Sequence, residues 1–236
     1  MKAKTLYEEG RLDEAIAALG GELRDNPGDA QRRTFLFELL SFAGEYDRAA
    51  KQLDVIARQD RESEMFAWMY RGALMAQKER SRMFESGELP GQGKDLPPVS
   101  GTLNGNRFES IEDADPRIGA RLEVIVAGQY VWLPLGQMEQ VRVSAPERLR
   151  DLMWARGWVK SGPGFKGMDL GEVLIPSLTP LAWKHADGAV RLGRDWGESD
   201  DSAAPVGQKL FVVDGEAFPF LEVRDLQIDP PVVTDE

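Results

Sequence analysis

The chain has 236 residues, 42% of them hydrophobic, with no cysteine and one histidine; this leaves room for one large or two small domains and excludes disulfide frameworks, thiolate metal sites and sites with paired imidazoles. A net charge of −11 repels phosphate backbones and no basic patch offsets it, so nucleic acid is not an expected partner. The charge is uneven: residues 1–90 hold 14 basic and 17 acidic side chains, whereas residues 191–236 hold 4 and 11, an acidic tail of the kind that is most often a solvated segment.

At the start, MKAKTLYEEGR lacks the apolar core of a signal peptide. The most apolar stretch, residues 124–135, is too short for a membrane span and is broken by Gly128 and Gln129. Cytoplasmic residence without a membrane partner is the expectation. Helical periodicity then covers about residues 2–9, 12–25, 29–43, 46–59 and 62–85. Within it, LYEEGRLDEAIAAL from Leu6 aligns without a gap on LSFAGEYDRAAKQL from Leu40, 34 residues later. Leu6/Leu40, Gly10/Gly44, Asp13/Asp47, Ala15/Ala49 and Leu19/Leu53 coincide. Thirty-four is the period of the tetratricopeptide repeat, a stacking pair of helices. The glycines permit the sharp turn, the alanines let helices approach closely and the leucines fill the seam. Pro27 falls where such a repeat closes; the second copy has Arg61 there. The last helix is long and unpaired, as a cap on a solenoid is.

Residues 86–107 (SGELPGQGKDLPPVSGTLNGNR) replace helix formers with Gly, Pro and Asn, which places a linker over 91–107 between a helical repeat domain at 1–90 and a second domain at 108–236. That second domain reads as strands: RLEVIVAGQYVWLPL (121–135), EQVRVS (139–144), EVLIP (172–176) and KLFVVDGEAFPFLEV with a hairpin at Asp214-Gly215. ERLRDLMWA (147–155) reads as helix. The expected fold is α+β: a tetratricopeptide-like helical hairpin array, then a mainly antiparallel β-rich domain.

Chemistry has little foothold. GPGFKG (162–167) matches GxGxxG, but a proline interrupts it and a strand-like run follows, so a glycine loop is favoured over a nucleotide site. His185, between Trp183, Lys184 and Asp187, reads as an exposed turn residue, and Ser177 lacks the glycine pattern of a nucleophile elbow. Glu109, Glu112, Asp113 and Asp115 have the composition of a hard-cation or acid/base site, yet Arg117, Arg121 and Pro116 beside them favour a charge-balanced turn. No catalytic residue, cofactor or metal is expected.

IEDADPRIGARLEVIVAGQYVWLPL (111–135), with EVLIPSLTP (172–180) and PERLRDLMW (146–154), resembles the ImpE/SciE/TagJ family of type VI secretion accessory proteins. LYEEGRLDEAIAAL, FLFELLSFAGEYDRAA, MYRGALMAQ and GELPG (87–91) look like the same family's repeat region. The resemblance spans nearly the whole chain and is most specific over 111–135; ARGWVKSGPGFKG (155–167) and the acidic stretch from Asp195 onward depart from it. It implies a non-enzymatic adaptor that contacts the N-terminal helical segment of the small sheath subunit and associates with the AAA+ ATPase ClpV. A repeat groove suits an amphipathic helix, and by repeat register its partner-facing candidates are Tyr7, Glu38, Ser41, Phe42, Trp68 and Met75, each of which also fits a core position. Two alternatives stand beside this: a peptide-binding scaffold outside secretion, and a C-terminal hydrolase using Glu112, Asp113 and Asp115.

Overall fold

The computed structural model describes residues 2–91, 96–162, 170–198 and 205–230. Five helices open the chain: α1 (Lys2–Glu8), α2 (Leu12–Asp25), α3 (Ala30–Phe42), α4 (Tyr46–Ile56) and α5 (Arg61–Ser86). The carboxylates of Asp29 and Asp60 start α3 and α5 by accepting the backbone N–H groups of Arg32 and Ser63 at 2.8 and 2.7 Å.

The 34-residue echo is repeated bond by bond. Gly10 (φ +76°) and Gly44 (φ +73°) end α1 and α3 in the left-handed region. Behind each, the next residue donates six-to-one across the turn: Arg11 N–H to the Leu6 carbonyl and Glu45 N–H to that of Leu40, both at 2.9 Å. Ala15, Ala49, Leu19 and Leu53 are all fully buried, as the seam of a repeat requires.

The strands are β1 (Gly101–Leu103), β2 (Asn106–Phe108), β3 (Ile111–Asp113), β4 (Arg121–Val126), β5 (Gln129–Pro134), β6 (Met138–Val143), β7 (Trp154–Ser161), β8 (Gly171–Pro176), β9 (Trp196–Glu198), β10 (Pro205–Gly207), β11 (Leu210–Val213), β12 (Glu216–Pro219) and β13 (Asp225–Ile228), with a one-turn helix α6 (Gly188–Arg191) before β9. Eight form one antiparallel sheet in the order β2-β1-β13-β6-β7-β8-β4-β5; β12-β11-β3 and β10-β9 form smaller ones. Three hairpins turn on two residues with positive φ: Asn104-Gly105, Ala127-Gly128 and Asp214-Gly215.

Two expectations need correction. The stretch read as linker over 91–107 carries β1 and the start of β2, because the Asn104-Gly105 turn pairs Leu103 with Asn106. The run 147–155 is not a helix: a single 3-10 turn over Leu149–Leu152 gives way to β7 at Trp154. There the Asp151 carboxylate accepts the N–H groups of Glu147 and Arg148 at 3.0 and 2.9 Å, tightening the turn, and strand pairing takes the rest.

Helices and main sheet share a core. Adjacent residues on three neighbouring strands divide between its faces: Ile125, Trp154 and Leu174 pack toward the helices, and Val124, Ala155 and Val173 into a second core beyond. The paired glycines of the repeat are where this second half docks. A Cβ on Gly188 would lie 1.8 Å from the Gly10 carbonyl oxygen, and one on Gly44 2.5 Å from the Trp183 ring.

Candidate functional site

The inner face of the helical array is largely taken by the chain's own second half. Phe37 of α3 and Tyr70 of α5, both buried, pack on Trp154, with ring centroids 6.4 and 5.8 Å away. Glu38 is buried and accepts from Arg150 at 2.7 Å, while Arg150 Nε donates to the Tyr70 hydroxyl at 3.1 Å. Burial raises the Glu38 carboxyl above its ordinary range, against the pull of Arg150. Ser41 is buried with Oγ donating to the Phe37 carbonyl at 2.8 Å, and Phe42 lies in the core. Ser41 and Phe42 are therefore core positions rather than open groove positions, and Glu38, largely buried, is held by Arg150 of the second half.

Tyr7 is half-buried, edge-on to Phe35 at 5.5 Å, with the Arg194 guanidinium 4.1 Å from its ring centre. Trp68 and Met75 stand out in solvent, 73% and 71% exposed. They share the outer face of α5 with Met65, 66% exposed, and Met69. At 100° per residue, positions 65, 68, 69 and 75 fall within about one third of the helix circumference. Four large apolar side chains on one exposed stripe exceed the scattered singles usual on a soluble surface.

Beside this stripe runs a cleft of about 680 Å³. Met65, Phe66, Trp68 and Met69 of α5 line it on one side, and Arg148 and Arg156 line it from the chain around the 3-10 turn and β7. A second cleft of about 470 Å³ shares Phe66 and Arg150 with the first and is also lined by Thr34, Phe35 and Glu38 of α3. The signal for Met65 and Met69 was present in MFAWMY (65–70): six consecutive non-charged, mostly large residues cannot all face one side of a helix. Arg148 and Arg156 had no such signal, since only the fold brings them to α5.

The carboxylates of 109–115 do not converge. Glu109 and Glu112 are exposed; Asp115 is buried, with its carboxylate held by Arg117 at 2.6 Å. Asp113 joins a buried network with Lys209, Glu123 and Arg80. Arg80 of α5 donates twice to Glu123 of β4, at 2.7 and 2.8 Å, and once to the Leu178 carbonyl at 3.0 Å. Two cations and two anions balance, and the Tyr130 hydroxyl adds a hydrogen bond to Glu123. Such a cluster ties α5 to the sheet. Among the described residues no group of three His, Asp or Glu side chains is placed to hold a metal ion. Ser177 is buried, its Oγ on the Asp151 carbonyl, and the His185 ring accepts from Asp187 N–H at 3.0 Å. The glycine-rich run lies outside the described residues beyond Gly162; so do much of the acidic stretch after Asp195 and the last six residues.

The network sets a pH dependence. Burial, together with Glu123, holds the Asp113 carboxyl up at about 6 against Lys209. Burial would also raise Glu123, but Arg80 and Lys209 outweigh it and bring it down to about 2. A raised carboxyl contributes stability that is present below its unfolded value and lost as pH rises through 6; a lowered one contributes stability lost as pH falls below its unfolded value. Urea midpoints should therefore be higher at pH 5.5 than at pH 7.5 and fall again below about 4. Asp113→Asn should remove the difference between pH 5.5 and 7.5; a variant keeping it would assign the slope elsewhere.

Comparison with known proteins agrees with the geometry. The profile of a family described as ImpE protein matches residues 105–227, and a tetratricopeptide repeat profile matches residues 6–77. The type VI secretion system accessory component TagJ of Pseudomonas aeruginosa is 32% identical over 263 aligned positions, which span 98% of this chain and 92% of that protein. A crystal structure of a Vibrio parahaemolyticus protein superposes with a TM-score of 0.80 at 22% identity, over 98% of this chain and 99% of the other; at that identity it speaks for the α+β fold alone.

Proposed function

The chain belongs to the ImpE family, and from that premise we propose that it is a non-enzymatic adaptor of a type VI secretion system, binding the N-terminal helical segment of the small sheath subunit and linking the sheath to the AAA+ ATPase ClpV. The observation that carries this reading is the exposed stripe of Met65, Trp68, Met69 and Met75 on α5. Aromatic and methionine side chains left in water on a rigid helix are the usual anchors for an amphipathic helix. Among the described residues no helix is long and apolar enough to cross a membrane, and residence beside the sheath in the cytoplasm is part of the proposal.

Titration of a fluorescently labelled peptide from the sheath subunit's N-terminus tests it. Trp68→Ala should weaken binding by roughly thirtyfold, the loss of about 2 kcal/mol typical of an interface anchor. Because Trp68 is exposed, the variant should melt like the wild type. Equal affinity in the variant would remove Trp68 from the interface, and an unmodified protein that leaves the peptide free would end the proposal.

A further inference from the structure

We propose that the cleft beside α5 is a composite docking site, in which α5 supplies the apolar floor and the C-terminal half a cationic wall, and that its occupant is an amphipathic helix carrying carboxylates along one edge. This rests on the reading that α5 holds a sheath-subunit helix. It adds that the repeat is not sufficient and that the partner is read electrostatically.

The wall is made by Arg148 and Arg156, both exposed, on the segment that runs from the 3-10 turn into β7. Their neighbours leave them available. Arg150 is held inward by Glu38 and Tyr70. The Asp151 carboxylate is buried and turned back onto the N–H groups of Glu147 and Arg148. Arg156 meets Glu147 at 3.3 Å with both side chains at least half exposed, an exchangeable surface pair. Glu62, Glu64 and Arg61 line the cleft from α5 and Asp151 lines it beside the arginines, but with the Asp151 carboxylate spent on backbone N–H groups the exposed charged groups on the sheet side of the lining are Arg148 and Arg156. In a chain of net charge −11 this side is locally balanced, three arginines against Glu38, Glu147 and Asp151, with two of the arginines turned to solvent. Screening beyond about 8 Å removes most of the remaining repulsion at physiological salt. A helix seated on Met65 and Met69 would therefore be oriented by its carboxylates meeting Arg148 and Arg156.

The test uses the full chain and the same labelled sheath-subunit peptide, with Arg148→Glu/Arg156→Glu compared with wild type at about 50 and 300 mM salt. The double reversal should weaken binding about tenfold, mainly through slower association, and added salt should weaken the wild type more than the variant. A second peptide with its Asp and Glu residues replaced by Asn and Gln reads the same contact without altering the protein and should bind as weakly to wild type as the native peptide does to the variant. Unchanged or tighter binding by the charge-reversed protein, with Trp68→Ala still impaired, would overturn the cationic wall and leave the α5 reading standing. No binding by wild type would defeat that reading first, and this inference with it.

Discussion

Replacing Arg80 with methionine should destabilise the protein by about 3–5 kcal/mol, the cost of leaving a buried charge without its partner. Arg80 and Glu123 are almost wholly shielded from water, and Arg80 supplies both hydrogen bonds of a bidentate pair. Without it, Glu123 and Asp113 face Lys209 alone, so the buried cluster carries a net negative charge. In a chain of this size the melting temperature should fall by roughly 10–15 °C. Arg80→Met/Glu123→Met distinguishes charge imbalance from lost packing. It leaves the Lys209–Asp113 pair balanced and should recover most of the loss, because apolar side chains of similar volume replace buried ion pairs at little cost. Calorimetry on the three proteins decides it. A single variant that melts with the wild type would mean that water reaches Glu123, and a double variant no better than the single would assign the effect to packing.

Gly44→Ala should cost about 2–4 kcal/mol, well above the ~1 kcal/mol expected of a glycine replaced in a left-handed turn. The excess comes from the Trp183 ring, into which the new methyl would be driven. Gly10 is the internal control: its φ is nearly the same, but the nearest atom to an added Cβ is 3.6 Å away, so Gly10→Ala should show the strain alone. In a Trp183→Ala background the cost of Gly44→Ala should drop to the Gly10 value, a coupling of about 1–3 kcal/mol in a double-mutant cycle. Equal costs for Gly44→Ala with and without Trp183 would show that the ring yields freely. The two glycines that make the repeat visible in the sequence thus serve twice, as turns and as seats for the second half.

Local features were legible and remote ones were not. The helical hairpins could be read because their determinants lie within a few residues: a turn glycine, a small residue at the crossing and leucines at helical spacing. The hairpin at Asp214-Gly215 was legible for the same reason, and Asn104-Gly105 carried an equal signal inside a stretch whose prolines suggested a linker. The run 147–155 misled because its helix-forming side chains were overruled by strand pairing of Trp154 with Pro176 and by the Asp151 turn.

By itself, then, the sequence determined the repeat, the α+β division and the resemblance to the ImpE family, all matters of short-range pattern or family likeness. Tertiary structure alone decided which side chains of that repeat meet water. Glu38, Ser41 and Phe42 have the helical register of groove residues, but the fold buries all three, Glu38 against Arg150 of the second half. Trp68 and Met75 remain exposed because nothing in the chain folds over the outer face of α5 among the described residues. Periodicity tells which residues share a face; whether that face is covered depends on contacts between residues far apart in the chain, and Arg80 finds Glu123 across 43 positions and Leu178 across 98.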